Sequence, residues 1–294
     1  MIESRAFVIC RLGKRENSLA FSMAGFSWLG KLTSCFCLDV ARLPGSPLTP
    51  RAIPSRKIPA CSAANQPVWG VSHRVCRMNL EEVWRIREDD IYPALFGGDC
   101  RGIFVLPLEL FQQRFGISDV DPRWLFYGVF EHGPTPQRPY WLYVTSGHSN
   151  PWKQEEGAYD PEGESGAGVE FILASTEQGD WAIRCLQNLL AFDLLLGAGH
   201  FGDRGPLGEG DRIPLRSPIN GVEGCEVRNV VVVRTPLLPP DFTLPSGRVE
   251  FFTFVGMTDK ELDFAKANGN EALITRLGSS GCFPVTHPQR RSVV

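Results

Sequence analysis

The sequence lacks most of the spacing that marks a metal site. It has no C-x-x-C and no H-x-x-x-H, and its five histidines (His73, His132, His148, His200, His287) lie far apart. Structural and catalytic zinc sites draw on closely spaced Cys and His ligands, so this pattern argues against a metal. Long clean apolar runs are missing as well. Leu19 to Leu38 comes nearest, but Lys31 and several Ser and Gly residues interrupt it, whereas a bilayer-spanning helix wants about 20 predominantly apolar residues. No long polar tract dominates either. Hydrophobic residues make up 43% and charged residues 21% of the 294, which is a globular rather than a disordered composition. At roughly 100–200 residues per domain, the length predicts one or two domains.

What is present is unevenly distributed. The net charge of −3 conceals a split: residues 1–77 hold 11 Lys or Arg against three acids, a balance of +8, and residues 78–294 hold 19 against 30, a balance of −11. Five of the nine cysteines also fall in the first 77 residues. That segment has no period-3.6 or period-2 pattern and carries Pro-rich stretches such as Leu43-Pro44-Gly45-Ser46-Pro47. Three readings compete for it. An acid-poor, Arg- and Ser-bearing start suits a targeting peptide; Leu19–Leu38 suits a membrane anchor; and a start assigned too far upstream suits a segment that is no part of the domain. The helix signal immediately after Met78, Asn79-Leu80-Glu81-Glu82-Val83-Trp84, favours the third. The boundaries expected are therefore 1–77 for an unstructured or mis-assigned extension and 78–294 for one domain. Few, scattered cysteines in that domain give no disulfide framework and favour a reducing, cytoplasmic setting.

From Met78 the chain is legible. Residues 79–91 read as a helix stopped by Tyr92-Pro93, 103–106 as a strand, and 108–115 as a helix ending at Gly116. Trp124–Glu131 and Tyr140–Thr145 are aromatic-rich strands separated by a Gly-Pro turn region, and Val169–Thr176 is another strand. Asp180–Leu196 is the strongest helix. Its apolar residues leave only a narrow polar stripe at Arg184, Gln187 and Asn188, so it is buried on most sides. Strands follow at 227–234 and 248–255. Thr258-Asp259-Lys260-Glu261 fits a capping box that opens a helix to about Ala267, and another helix starts at Glu271. Consecutive strands without helices between them predict an α+β fold, a single mixed, largely antiparallel sheet with packed helices.

Catalytic look-alikes fail on context. Gly197-Ala-Gly199-His-Phe-Gly202 matches G-x-G-x-x-G by letter, but the helix precedes the glycines, and a dinucleotide site needs it after them. Gly163-Glu-Ser165-Gly-Ala167 nearly matches a nucleophile elbow but precedes a strand instead of a helix. His148-Ser149, with Asp160 or Asp211 as a third group, invites a hydrolase reading; a strand-end turn explains the same residues without chemistry. With its balance of −11 and dispersed basic residues, the domain also lacks the basic face that nucleic acid requires. The acidic loop is more informative. Glu155, Glu156, Asp160, Glu162 and Glu164 lie close together with Trp152 and Tyr159 nearby. It is either a solvated loop or a partner-facing patch, in which carboxylates steer a basic partner and aromatics anchor it.

Several segments together resemble the suppressor-of-fused-like family. They are Trp141-x-Tyr143-x-x-x-Gly147-x-Ser149, Ser165-Gly166-x-Gly168-x-Glu170-Phe171, and the helix bearing Trp181, Leu186, Gln187 and Leu189. Gly210-Asp211 and Ser217-Pro218 follow, then Gly247-x-Val249-x-Phe251 through Val255-Gly256, Thr258, Glu261-Leu262, Ala265, Asn268-Gly269 and Leu273. They run in the family's order over about Ile91 to Arg291. The resemblance implies an α+β domain with no established catalytic centre. It implies protein binding: animal members hold a short extended peptide, a mode similar to strand addition, and bacterial members include suspected immunity proteins. The second half of the animal proteins has no counterpart here, so a grip using both halves does not transfer. By the resemblance, the peptide-contacting aromatic corresponds to Trp152 and the acid before Ser-Gly-x-Gly to Glu162.

The sequence therefore predicts a cytoplasmic, non-enzymatic protein-binding domain without cofactor or metal. Its expected partner is another protein, either a basic toxin or an extended peptide segment, rather than nucleic acid or membrane. Expected contacts are Trp152, Asp160, Glu162 and Glu164. The alternatives are a hydrolase built on His148 and Ser149, or a regulatory subunit without a toxin partner.

Overall fold

The computed structural model describes residues 79–294, apart from Gly98, Glu156 and Leu238. Expectations for the first 77 residues, including Leu19–Leu38, lie outside the described residues. Among the described residues, no helix is long and apolar enough to cross a membrane.

Eight strands form one sheet: β1 (Cys100–Val105), β2 (Gly128–His132), β3 (Trp141–Ser146), β4 (Glu164–Ser175), β5 (Arg212–Pro214), β6 (Val227–Arg234), β7 (Asp241–Leu244) and β8 (Gly247–Thr258). Their order is β1-β2-β3-β4-β8-β6-β5, with β7 also paired to β8. Only the β4–β8 pair is parallel; the other pairings are antiparallel. The fold is the expected α+β class with one mixed, largely antiparallel sheet.

Period-2 alternation places apolar side chains on both faces, because helices cover both. On one face Tyr143, Phe171, Leu173, Val230, Val232 and Phe254 pack against helix α4 (Asp180–Gly197). On the other, Leu142, Val144, Ile172 and Ala174 meet the N-terminal helices α1 (Leu80–Arg85) and α2 (Tyr92–Phe96) through Val83, Tyr92 and Phe96. Further along that face, Val231, Val233, Val255 and Met257 pack against α5 (Asp259–Asn268) and α6 (Asn270–Ser279). A strand buried on both faces reads as a continuous apolar run, and Val230-Val231-Val232-Val233 is one. Two of the three polar-stripe residues of α4, Gln187 and Asn188, are buried as well. Gln187 Nε2 donates to the carbonyls of Phe104 and Val105 (3.1 and 2.9 Å) and Asn188 Nδ2 to that of Arg184 (2.7 Å).

Most helix ends fall where their cap residues predict. Helix α3 (Leu108–Phe115) ends on Gly116 at φ 70°, ψ 20°, a left-handed turn that glycine adopts without steric cost. Three details differ from expectation. Pro93 does not stop the first helix. Residues Ile86–Ile91 widen into a π-helical turn and Pro93 enters the first turn of α2, where its missing N–H is not needed. Trp124–Phe126 is not strand but part of a 3-10 turn from Pro122, with Asp121 Oδ1 accepting the Arg123 amide (2.9 Å), so β2 begins only at Gly128. Strands β5 and β7 were not anticipated; at three and four residues they are too short to show alternation and exist because β6 and β8 offer them an edge.

The capping box at Thr258 also anchors the C-terminal segment. Glu261 accepts the Thr258 amide (2.8 Å) and the Thr258 hydroxyl accepts the Glu261 amide (3.3 Å). Arg290 then donates to both oxygens of the same carboxylate (2.5 and 2.6 Å) and to the Gly256 carbonyl (2.8 Å). Replacing Thr258 by Ala removes one cap and is expected to cost about 0.5–2 kcal/mol. Glu261→Ala leaves a buried guanidinium without its counter-charge and is expected to cost more, about 3–5 kcal/mol. Urea unfolding midpoints of the two variants check this order.

Candidate functional site

The site is built around the turn between β3 and β4. Thr145, Ser146, His148, Ser149 and Asn150 are all buried, and a polar turn can only be buried if every group finds a partner. Glu170, fully buried on β4, supplies much of this. Its Oε1 accepts the amides of Gly147 and Ser149 (3.0 Å each) and the Ser149 hydroxyl (2.6 Å), and its Oε2 accepts the Thr145 hydroxyl (2.6 Å). The buried guanidinium of Arg87, from the π turn, lies 3.7 Å from the same carboxylate. It donates to the Ser149 hydroxyl (2.8 Å) and to Asn150 Oδ1 (2.9 Å). Trp84 Nε1 reaches the same Asn150 oxygen at 2.8 Å. Burial pushes the Glu170 carboxyl up, but the Arg87 guanidinium, the His148 ring and the Ser149 and Thr145 hydroxyls outweigh it and hold the group below its ordinary value.

A second buried carboxylate holds the other side of the turn. His148 Nε2 lies 2.6 Å from Asp193 Oδ2 on α4, and Asp193 Oδ1 accepts the Leu207 amide at 2.5 Å. Burial raises the Asp193 carboxyl above its usual range, with His148 and the Leu207 amide opposing. Asp193 thus ties the turn, the helix and the glycine-rich loop after it to one point.

Between these walls runs a cleft of about 980 Å³. Its floor is β4 where the strand leaves its partner. Glu164 pairs with Arg248, but the next pair is Val169 with Glu250, so β4 bulges through Gly166-Ala167-Gly168. Gly166, at φ 63°, lies so close to the turn that a Cβ there would be 2.4 Å from the His148 carbonyl oxygen. The Ala167 amide donates to that carbonyl at 2.8 Å. Trp152 lines the cleft, and its ring meets Trp84 edge-on at 6.1 Å between centroids, with the Arg123 guanidinium at 5.9 Å.

Of the four expected contact residues, Trp152, Glu162 and Glu164 line this cleft. Asp160 is not in its lining; its Oδ1 accepts the Glu162 amide (3.0 Å) and its carbonyl the Gly163 amide (3.1 Å), so it shapes the loop that carries the other two. Glu162 and Glu164 form no ion pair among the described residues, in contrast with Arg234 and Glu250 at the far end, which pair at 3.0 Å. His148 bonds neither Asp160 nor Asp211 but Asp193, and the Ser149 hydroxyl donates to Glu170, not to His148. Asp211 accepts the Gly208 amide instead (2.9 Å). Ser165 is the second residue of β4, its hydroxyl donating to the Ser149 carbonyl (2.7 Å), so no nucleophile elbow exists there. Among the described residues no group of three or more His, Cys, Asp or Glu is placed to hold a metal ion. Sequence reading missed Arg87 and Asp193 and named Glu170 only as part of a family motif, without a role. The available signal was one charge inside an otherwise apolar run, at Glu170 within Val169–Ala174 and at Asp193 within Leu189–Leu196.

A family model described as Suppressor of fused protein (SUFU) matches residues 125–291, which includes the whole cleft floor and both carboxylates. The chain belongs to the suppressor of fused family. Members with solved structures that it is similar to include the Sufu–Fu complex, at 22% identity and a TM-score of 0.43, covering 57% of this chain and 76% of that one. Drosophila Suppressor of Fused gives the same identity, TM-score and coverage of this chain, which spans 42% of the fly chain. A putative homologue from Neisseria gonorrhoeae FA 1090 is 22% identical with a TM-score of 0.39, over 57% of this chain and 78% of that one. No curated protein matches the sequence.

Because the folded-state value of Glu170 is depressed, its contribution to stability is complete above the unfolded value near 4.5 and disappears as pH falls through the lower folded value. Glu170→Gln is expected to lower stability by about 2 kcal/mol or more at neutral pH. It is also expected to flatten the acid limb of the stability curve. Urea midpoints between about pH 7 and pH 3 for both proteins test this; parallel curves would count against the role given to Glu170.

Proposed function

We propose that the chain is a non-enzymatic protein-binding domain, made by residues 78–294, that holds an extended basic segment of a partner protein in this cleft. Its most concrete form is an immunity protein that neutralises a basic toxin in the cytoplasm. The observation that carries the reading is the cleft lining itself. Trp152 offers an aromatic anchor beside Glu162 and Glu164, two exposed carboxylates that form no direct ion pair among the described residues, and Asp160 holds their loop. The balance of −11 over residues 78–294 would speed encounter with a basic partner. Membership of the suppressor of fused family supports binding over catalysis. So does the commitment of the Ser149 hydroxyl to Glu170, which leaves His148 without a nucleophile to activate.

The test is co-purification with the full chain from cells that also express the neighbouring genes, at low and moderate salt. A specific basic partner is expected, released progressively as salt rises. Trp152→Ala is expected to weaken the complex by about 2 kcal/mol or more, roughly 30-fold, and the double change Glu162→Gln and Glu164→Gln to reduce the association rate and its salt dependence. Failure to recover any specific partner, or a complex indifferent to all three residues, would overturn the reading.

A further inference from the structure

A cation of the chain's own already stands over the anchoring ring of the cleft. The guanidinium carbon of Arg123 lies 5.9 Å from the centroid of the Trp152 ring, within the range at which an indole face attracts a cation. Arg123, Trp152 and Asp121 all line the cleft. Asp121 supplies the counter-charge: Arg123 Nε lies 2.9 and 2.8 Å from its two oxygens, and Nη2 also donates to Oδ2. An indole face beside a carboxylate suits a guanidinium, because the ring attracts its charge and the carboxylate accepts its planar fork of N–H groups.

Ring and cation are held very differently. The Trp152 amide donates to the Asn150 carbonyl (2.8 Å), and the ring meets that of Trp84 edge-on, whose own indole N–H is bonded to the buried Asn150. Trp152 is therefore fixed to the wall of the cleft. The Arg123 side chain is 49% exposed, and its side-chain hydrogen bonds among the described residues all go to Asp121, two positions earlier. An exposed pair of this kind contributes little to stability. The seat is fixed, and its occupant is replaceable.

We propose that the Trp152 face and the Asp121 carboxylate form a subsite for an arginine of the bound segment. Arg123 fills this subsite in the free protein and swings off when the partner's arginine takes its place. Arg123 thereby sets specificity. A lone cation competes poorly with a tethered one, whose effective concentration is high. A segment that also reaches Glu162 and Glu164 gains further contacts and displaces it. This rests on the reading of the cleft as the seat of a basic partner segment, but the subsite is measurable without any partner.

The experiment uses the full chain with isotopically labelled indole nitrogens, followed by NMR. The probes are N-acetyl-arginine methylamide and its citrulline counterpart, which keeps the shape of arginine and lacks its charge. Trp152→Leu assigns the resonance by its loss, and the dispersion of the other indole signals reports that each variant is folded. In Arg123→Ala the arginine probe is expected to move the Trp152 signal saturably, and the citrulline probe to bind at least about tenfold more weakly. The unchanged protein, with its seat filled, should bind the arginine probe at least about tenfold more weakly than Arg123→Ala. Adding Asp121→Asn to Arg123→Ala keeps an oxygen for the amide at position 123 but removes the charge, and should weaken the arginine probe severalfold. No saturable shift in Arg123→Ala, equal responses to both probes, equal binding by the unchanged protein, or indifference to Asp121→Asn would overturn the proposal. Those outcomes concern the subsite alone and leave a Trp152-dependent partner complex standing. A failed co-purification would instead fall on the partner reading.

Discussion

The carboxylate of Glu170 is the point at which the N-terminal helices, the sheet and the cleft meet. It lies within β4, inside the apolar run Val169–Ala174, and it takes four hydrogen bonds from the end of β3 and the turn that follows. A charge buried to this degree would cost several kcal/mol if left alone. Arg87 supplies the counter-charge, and through Ser149 and Asn150 it ties the π turn to the same loop. The β3–β4 turn can therefore be buried and polar at once, which in turn lets it serve as a rigid wall. Removing Arg87 leaves Glu170 without its guanidinium, whereas removing Glu170 leaves Arg87 its second ion pair, with Glu88 at 2.9 Å.

From that wall the rest of the site follows. The turn presents His148 towards α4, where Asp193 meets it, and Asp193 extends the connection to Leu207. The two carboxylates have opposite displacements from their ordinary values for a physical reason. Glu170 has a guanidinium and a full set of donors, which outweigh burial. Asp193 has an imidazole and one amide, which do not. The cleft is thus bounded by segments held through charged hydrogen bonds, while its floor is a glycine-flanked bulge in β4 where its parallel pairing with β8 shifts register. Glu162 and Glu164 line the cleft, exposed and without a direct ion pair among the described residues, where charges influence encounter more than stability.

Much of the fold was legible because local rules and packing agree. The cap at Gly116, the capping box at Thr258 and the near-continuous apolar face of α4 each appear where their residue types predict them. The exceptions have two causes. Pro93 is accommodated by a widened turn and Trp124–Phe126 is curled by the Pro122 start, both local effects. Strands β5 and β7 exist only by virtue of their neighbours, where tertiary context overrides a weak local preference. The candidate site was legible in part. Trp152 and the acids at 162 and 164 stood out by residue type and spacing, and they share one cleft. Asp160 stood out equally but turns its polar groups to its own loop.

The amino-acid sequence by itself determined the class of the domain, most of its elements, the charge contrast between its first 77 residues and the remainder, and the failure of the catalytic look-alikes. All of these depend on residues close together in the chain, where periodicity, capping and turn chemistry act. Only the tertiary structure decided which partners the polar residues take. His148 and Asp193 are 45 positions apart, and Arg87 and Ser149 are 62 apart. No local pattern links such pairs; they meet because the β3–β4 turn is folded between two layers of helices, and burial obliges each charge to find its complement.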